Sequence, residues 1–377
     1  MEHKHLQTRK LDYVDALRGL AILGVMMLHT KHYGSDSLPI FIGKLLDGGE
    51  RGVQLFYLAS AFTLFLSFKN RFYKETFPIR NFFIRRFFRI APMYYLGIVY
   101  YLFQDGFGPR YWLGDETHIT ALNIVSNLTF LHGFNPYWIN SLVPGGWSVG
   151  VEMAFYAIVP ILFFKIKNIN QAFLFFLFSA FLKLFLYLAL IKFPMISPAS
   201  LWKIYLVLYL PGQLPVFSLG IFFYFLISEN QSLRSISGGS ILLLSAMLIA
   251  QLSIDVKFFL PSHVLFSLVF LLLAYGLSLF QFKMIVNPVI NYIGKISFSM
   301  YLVHLAVLHW VKQFNLFNYW NNGMLNYATR FLFVLVSTMI ISTIFYNIIE
   351  VPFQNIGKKI IGRWEKKSEH VAESVKA

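Results

Sequence analysis

The chain has 377 residues, of which 57% are hydrophobic and 13% are charged, whereas soluble domains carry about 25% charged residues. This excess of apolar side chains indicates a protein solvated by lipid. The net charge of +15 comes from basic clusters between apolar runs, a pattern that favours anionic lipid headgroups and argues against nucleic acid as a partner. The chain contains no cysteine, which excludes thiol nucleophiles, disulfides and cysteine-ligated metal sites.

Apolar segments close to the ~20 residues that cross a bilayer as a helix follow one another along the chain. There are ten, at residues 12–31, 51–69, 88–104, 147–166, 171–191, 203–227, 238–254, 261–281, 291–313 and 327–349. Their length and the absence of ten-residue alternation are atypical of membrane-spanning strands. The sequence therefore predicts an all-α polytopic membrane protein with about ten transmembrane helices.

The basic residues fall on one side of the membrane if these segments alternate in direction. They lie in the two tails and after the second, fourth and eighth segments: Lys4, Arg9, Lys10, Lys69, Arg71, Lys74, Arg80, Arg85, Arg86, Arg89, Lys165, Lys167, Lys283, Lys358, Lys359, Arg363, Lys366 and Lys367. Lys and Arg concentrate in cytoplasmic loops, so both termini are predicted to be cytoplasmic and the loop 105–146 to lie on the opposite side. Residues 1–357 are predicted to form one transmembrane domain, followed by a short charged cytoplasmic tail at 358–377.

The first segment carries two ionisable residues, Arg18 and His29. An ionisable group at membrane depth is costly and suggests a functional site. The two are eleven positions apart, a spacing that returns to nearly the same helix face about 16 Å further along. Both side chains are therefore predicted to line one track through the bundle. The alternative is that Arg18 reaches to lipid phosphate and His29 ends the helix.

Two acidic residues lie at the ends of apolar segments. Glu152 begins the fourth segment and is predicted on the same side as His29, where a carboxylate can orient an imidazole. The alternative for Glu152 is a favourable position near a helix N-terminus. Glu350 ends the tenth segment and is interpreted as a structural ion-pair partner, either of Arg18 or of the arginines at 85–89.

The run RRFFRIAP at 85–92 places Arg86 and Arg89 on one helix face, beside Arg85. Pro92 is expected to open or kink the third segment. Guanidinium groups at a helix start match phosphate oxygens well, so the run suggests a phosphate-binding site. Ordinary anchoring of a cytoplasmic helix end explains the same residues equally well.

The ninth segment contains His304 after Ser297, Ser299 and Tyr301. These side chains can bond across helices, and a packing role is favoured for the two serines. The chain has no Walker loop, no dinucleotide-binding glycine pattern and no His-Glu-x-x-His zinc motif. The usual routes to ATP-driven transport and to zinc-dependent hydrolysis are therefore unsupported.

Seven motifs occur in a fixed order over nearly the whole chain. They are LDYVDALRGLAILGVMMLH (11–29), GVQLFYLASAF (52–62), FFIRRFFRIAPMYY (82–95), GGWSVGVEMAFYAIVP (145–160), LPVFSLGIFF (214–223), GKISFSMYLVH (294–304) and IIEVPF (348–353). Each motif alone is weak, but their order resembles that of the acyltransferase 3 family of membrane-bound acyltransferases. Arg18 and His29 match the family's Arg-ten residues-His pair, and Arg86 and Arg89 match its Arg-x-x-Arg motif.

The resemblance implies transfer of an acyl group, often acetyl, from cytoplasmic acyl-coenzyme A (acyl-CoA) to a hydroxyl of a surface or secreted carbohydrate on the outer side. It implies that His29 carries catalysis, and that Arg18, Arg86 and Arg89 serve donor binding or the channel. Our hypothesis is direct transfer, with His29 as general base, Glu152 orienting it, and Arg85 among the basic residues that hold the donor's phosphates. An acyl-histidine intermediate is the main variant.

The implied partners are acyl-CoA, a glycan or glycolipid acceptor and membrane lipid, with no metal and no nucleic acid. The implied location is a bacterial inner (plasma) membrane. Some family members carry a further soluble hydrolase-like domain, so a separate partner protein is also considered. The chain departs from the family pattern at Ala61, where Gly is common after Ser60, and at Gly150, which interrupts a WSLAVE-like run.

Two alternatives to the enzyme remain open from the residues. A transporter or flippase for a lipid-linked sugar explains the apolar segments and the charges within them, although no repeat of 20–50 residues is visible. A sensor or scaffold that has kept the fold and lost activity is the other. The presence of Arg18, His29, Arg86 and Arg89 argues against it.

Overall fold

The apolar segments are helical in a computed structural model of the chain, which describes residues 11–34, 36–114, 118–229, 238–254, 261–316 and 318–374. The described residues form fifteen α-helices and no strand. The first eight are α1 (Asp12–Tyr33), α2 (Ile40–Asp47), α3 (Gly52–Phe72), α4 (Pro78–Asp105), α5 (Ala121–Leu128), α6 (Gly146–Lys165), α7 (Ile169–Leu190) and α8 (Ala199–Leu208). The others are α9 (Leu210–Glu229), α10 (Gly238–Ile254), α11 (Ser262–Leu279), α12 (Pro288–Lys295), α13 (Ser297–Gln313), α14 (Gly323–Phe345) and α15 (Val351–Ser374).

Within the described part, six helical stretches are long and apolar enough to cross a membrane. They are Ile40–Phe72, Gly146–Lys165, Ile169–Leu190, Ala199–Glu229, Ser262–Leu279 and Gly323–Lys366. The all-α class and the membrane location are therefore confirmed at this coarser level, whereas the count of about ten is not. The other four predicted segments are helical as α1, α4, α10 and the pair α12–α13, and their crossing of the membrane stays a prediction.

Two predicted segments are interrupted, which corrects their description as single helices. Segment 203–227 consists of α8 and α9, which meet at an extended Tyr209. Pro211 follows at once, and because proline lacks an amide hydrogen it suits the first turn of a new helix rather than a helix interior. Segment 291–313 is divided at Ile296 into α12 and α13.

The third predicted segment begins too late. Helix α4 starts at Pro78, ten residues before the predicted 88, and runs through Pro92 to Asp105. Arg85, Arg86 and Arg89 therefore lie two to three turns inside the helix instead of at its start. The start of this helix was not predicted from hydropathy, because its basic residues lower the mean hydropathy by which a membrane-spanning segment is recognised.

The chain divides into two units. The first contains Met1–Ala59 and Ile227–Met339, and the second contains Ser60–Leu226 and Ile340–Ala377. In the first unit, α1 packs against α12, α13, α11 and α2. Lys31 near the end of α1 donates hydrogen bonds to both carboxylate oxygens of Asp47, each at 2.7 Å, and at 2.9 Å to the carbonyl of Gly43. This ion pair ties the end of α1 to α2.

The contact between α1 and α12 depends on glycine. A Cβ atom added to Gly294 would lie 1.8 Å from the carbonyl oxygen of Asp15, and one added to Gly19 would lie 2.4 Å from the carbonyl oxygen of Ile290. Both obstacles are backbone atoms, which cannot rotate away as a side chain can. The small residues therefore allow the two backbones to touch, as small residues do at helix contacts within membranes.

The Gly294→Ala variant is expected to lose about 1–3 kcal/mol of stability, because the added methyl group forces the two helix backbones apart. Thermal unfolding of the detergent-solubilised protein measures this loss. Gly362→Ala on α15 is the matched control, since no atom lies within 4 Å of its added Cβ. A Gly294→Ala variant as stable as the control would contradict the close contact.

In the second unit, aromatic side chains fill the space between helices. Phe155 on α6 stacks on Phe217 of α9 with 4.0 Å between ring centroids. Phe163 packs edge-on against Phe68 and Phe65 of α3, at 4.8 and 5.9 Å. On helix α7, by contrast, many apolar side chains are exposed instead of packed against other helices. They are Phe173, Leu174, Leu177, Phe178, Phe181, Phe185 and Leu188. These exposed side chains suit contact with lipid.

Helix α15 is attached to the start of α4. The Glu365 carboxylate accepts hydrogen bonds from the backbone amides of Thr76 and Phe77, at 2.7 and 3.3 Å, and from the side chain of Asn81 at 2.7 Å. The first amides of a helix have no partner within it, and a carboxylate there also complements the helix dipole. Further along, Gly357 lies against Phe88. These contacts fix the helix that carries Arg85, Arg86 and Arg89.

Candidate catalytic site

Helix α1 carries Arg18 near its start and His29 near its end, as the spacing predicts. Arg18 lies 3.5 Å from the carboxylate of Asp15, one turn earlier, and its side chain is 20% exposed. His29 is half-buried. A half-buried imidazole keeps part of its ring accessible to another molecule, which a reacting group requires.

His29 contacts a second histidine in the first unit. Its Nδ1 lies 2.9 Å from Nε2 of His304, and the ring centroids are 5.1 Å apart with 25° between the ring planes. His304 is on α13, which packs against α1, and it is 1% exposed. The two residues are 275 positions apart in the sequence. His304 was not predicted as a partner of His29, although an ionisable side chain inside the ninth segment was the available signal.

The ring of His304 is held by its own helix. Its Nδ1 lies 2.8 Å from the carbonyl oxygen of Tyr301 and 3.2 Å from that of Met300. The Tyr301 ring lies 5.8 Å from the His304 ring and 6.3 Å from that of Phe56 on α3. These contacts fix one orientation of the buried imidazole and present its Nε2 to His29.

Glu152 lies in a polar network of the second unit. Its Oε1 accepts a hydrogen bond from Ser60 at 2.5 Å and another from Tyr156, one turn later on α6, at 2.7 Å. Neither of these two partners is a histidine, and the bonds connect Glu152 to α3 and to the next turn of α6.

Arg86 belongs to the same network. Its guanidinium carbon lies 5.8 Å from the ring centroids of Phe82 and Tyr156, and it interacts electrostatically with Glu152. The sequence placed Arg86 and Glu152 towards opposite sides of the membrane. The structure brings them together because α4 begins ten residues earlier than predicted, which moves Arg86 into the helix interior.

The other two arginines of α4 differ in their surroundings. Arg85 forms a two-point ion pair with Glu75, at 2.8 and 3.0 Å. Arg89 is half-buried, and within the described part of the chain no carboxylate lies within ion-pair distance of it. The charge of Arg85 is thus largely matched by a neighbour, whereas Arg89 is better suited to an outside anion.

A histidine in the loop 105–146, His132, explains why residue 150 is a glycine. In a short 3₁₀ segment, Leu131–Phe134, the Nε2 of His132 lies 3.1 Å from the carbonyl oxygen of Gly146 and 3.2 Å from the hydroxyl of Tyr94. A Cβ atom on Gly150 would lie 2.8 Å from this nitrogen. Gly150 therefore makes room for the imidazole. Burial lowers the pKa of His132 below its usual range, so a neutral ring fills this space.

The predicted site residues thus fall in both units. Arg18 and His29 belong to the first, and Arg85, Arg86, Arg89 and Glu152 belong to the second. The orientation of His29 by Glu152 stays a prediction. Among the described residues, no group of three or more His, Asp or Glu side chains is placed to hold a metal ion.

A family model described as an acyltransferase domain matches residues 11–347. Two proteins of Staphylococcus aureus, strains COL and MSSA476, both named "Putative O-acetyltransferase", are each 25% identical over 390 residues, which covers 95% of this chain and 59% of theirs. The chain thus spans less than two thirds of the length of these relatives. No solved structure matches it.

Proposed function

The chain belongs to the acyltransferase 3 family, whose model matches residues 11–347, and on this premise we propose that it is a membrane-embedded O-acyltransferase. The proposed donor is acyl-CoA, with acetyl-CoA as the first candidate. The proposed acceptor is a hydroxyl of a surface or secreted carbohydrate, either a glycan or a glycolipid. The names of the two relatives support acetyl as the group transferred.

One observation carries this proposal: a half-buried His29 held by a fully buried His304, at 2.9 Å. An imidazole in this setting suits general base catalysis. His29 takes the proton of the acceptor hydroxyl while its oxygen attacks the thioester carbonyl. A carbon–oxygen bond forms, the carbon–sulfur bond breaks, and the coenzyme A thiolate leaves with the proton from His29. Direct transfer of this kind needs no covalent intermediate on the protein.

The donor's phosphates are assigned to the basic face of the second unit. Arg89 is the first candidate, because no acidic partner within the described residues competes for it. Arg86 lies one turn away, with its guanidinium carbon 5.8 Å from the ring centroid of Tyr156. Arg85 has a supporting role through its ion pair with Glu75. Arg18 is proposed to serve donor binding or the channel, and no metal ion is needed for this chemistry.

The Arg89→Gln variant is expected to raise the KM for acetyl-CoA roughly 10- to 100-fold, since a hydrogen bond to a charged group contributes about 1.5–3 kcal/mol. The kcat should change little, because the phosphates are remote from the reacting carbonyl. Arg71→Gln is the control, since Arg71 is an exposed arginine of the same basic connection. An unchanged KM in Arg89→Gln would remove Arg89 from the donor site.

The membrane arrangement follows from the donor. Acyl-CoA is a cytoplasmic molecule, so the basic clusters that would hold it are proposed to face the cytoplasm with both termini. The acceptor is proposed to be reached from the outer side of a bacterial inner (plasma) membrane. A separate partner protein is proposed to act with the chain where an acceptor must be carried further.

The release of coenzyme A tests the reaction. The protein has no cysteine, so a thiol reagent reports only the free coenzyme A and no protein signal interferes. Purified protein in nanodiscs is given acetyl-CoA with and without a carbohydrate extract of its host. Release that depends on the extract supports an acyltransferase. No release together with no acetyl-CoA binding in calorimetry contradicts it and favours transport of a lipid-linked sugar.

A further inference from the structure

The proton positions of the two histidines can be derived from their neighbours. Nδ1 of His304 lies 2.8 and 3.2 Å from two backbone carbonyl oxygens, those of Tyr301 and Met300. A carbonyl oxygen only accepts hydrogen bonds, so this Nδ1 must carry a proton. The ring is 1% exposed, and a buried imidazole strongly disfavours a second proton and the charge that comes with it. Nε2 of His304 is therefore an unprotonated acceptor.

This assignment fixes the tautomer of His29. Its Nδ1 lies 2.9 Å from the unprotonated Nε2 of His304, and two bare nitrogens at that distance would repel each other. Nδ1 of His29 therefore carries the proton and donates it, which leaves Nε2 of His29 with a lone pair. Nε2 has no hydrogen-bond partner among the described residues. The lone pair is thus on the side of the ring that faces away from His304.

From this geometry we infer that His304 is a positioning residue, which holds His29 in the tautomer whose Nε2 takes the acceptor's proton. This inference rests on the proposed acyl transfer. In the opposite tautomer, Nε2 would carry a proton and could not act as a base. His304 thus has the orienting role that a carboxylate has in a serine protease triad.

The proton balance of the step is complete with these groups. The acceptor's proton moves to Nε2 of His29, whose ring becomes positively charged while Nδ1 stays bonded to His304. The alkoxide oxygen forms the ester bond, and the thiolate of coenzyme A leaves. Nε2 then gives its proton to the sulfur. His304 keeps its own proton on Nδ1 throughout and touches no substrate atom.

Two variants of similar size separate positioning from packing. In His304→Gln the side-chain oxygen can still accept the proton of His29 Nδ1, whereas His304→Met fills the space without an acceptor of comparable strength. We expect His304→Met to lower kcat about 10- to 1,000-fold, since loss of an orienting group allows the wrong tautomer. The KM for acetyl-CoA should stay nearly constant, and His304→Gln should recover most of the lost kcat.

Coenzyme A release by each variant, after a check of folding by thermal unfolding, gives this result. Equal kcat in His304→Met and the native protein overturns the inference, as does a Gln variant no better than Met. Nitrogen NMR of histidine-labelled protein in nanodiscs, assigned with His29→Gln, is independent of activity. It should show a protonated Nδ1 and an unprotonated Nε2 on His29, and the reverse pattern overturns the inference. A native protein that shows this pattern but releases no coenzyme A would refute the proposed function instead.

Discussion

The His29→Gln variant is expected to lose about 100- to 10,000-fold of the acyl-transfer rate, the range that general base catalysis supplies. Glutamine is close in size to histidine, and its amide can still donate to Nε2 of His304, so the contact between α1 and α13 is kept. It has no basic nitrogen to take the acceptor's proton. The loss should therefore appear in kcat, with little change in acetyl-CoA binding measured by calorimetry.

His32→Gln is the control for this variant. His32 lies one turn further along the same helix, is exposed, and its Nε2 is 3.2 Å from a carboxylate oxygen of Asp47. It should keep nearly full activity. A His29→Gln protein that folds, binds donor and transfers acyl groups at the native rate would exclude His29 as the base.

The Arg330→Met variant is expected to lose about 3–5 kcal/mol of stability, because it leaves a buried carboxylate without its charge partner. The side chain of Arg330 on α14 is 0% exposed, and that of Asp36, with which it forms an ion pair, is 4% exposed. Asp36 also accepts a hydrogen bond from Asn326 at 2.7 Å, and Arg330 donates to the carbonyl oxygen of Thr30 at 3.3 Å. The pair therefore anchors the chain just after α1, the helix of His29.

Thermal unfolding in detergent measures this effect. The double variant Arg330→Met with Asp36→Asn should recover part of the loss, since it removes both buried charges together. Arg71→Met is the comparison, because the 3.6 Å pair of Arg71 with Glu75 is exposed at the arginine and such pairs contribute about 0–1 kcal/mol. Equal stability of Arg330→Met and Arg71→Met would contradict the account of the buried pair.

The helical class followed from hydropathy, since an apolar run of about 20 residues has few other structures open to it. The predicted segments 12–31 and 147–166 agree with the observed ends of α1 and α6 to within one or two residues. The start of α4 was missed because the arginines that make this helix interesting also lower its hydropathy. Tyr209 was missed as a break because its neighbours are apolar and only Pro211 marks the new helix.

The sequence supports hypotheses about single residues of the candidate site, but it does not show which side chains contact each other. Arg18 and His29 are on one helix, so their spacing fixed their shared face. The pairing of His29 with His304 depends on how α1 and α13 pack, which no local pattern contains. Arg330 was overlooked for the same reason. It lies two turns into α14, near a helix end where an arginine that reaches to the membrane surface is ordinary, and its partner Asp36 is 294 positions away.

The ionisable groups of the second unit illustrate a different limit. Glu152 was interpreted through its charge, as a residue that orients His29, which stays a prediction; its hydrogen bonds from the hydroxyls of Ser60 and Tyr156 were not anticipated. Hydroxyl side chains are neutral, so the sequence gives no charge pattern from which their hydrogen-bond partners could be predicted. Gly150 is the converse case, since its departure from the family pattern becomes a simple requirement of space beside His132.

The transfer of label from donor to carbohydrate tests the central claim most directly. Native protein and His29→Gln, both in nanodiscs, are incubated with acetyl-CoA labelled in the acetyl group and with carbohydrate extracted from the host. We predict that label enters the carbohydrate only with the native protein, and that mild alkali releases it, as an ester requires. Label that never leaves the donor, although the native protein binds it, or carbohydrate labelled equally by His29→Gln, would contradict acyl transfer by His29.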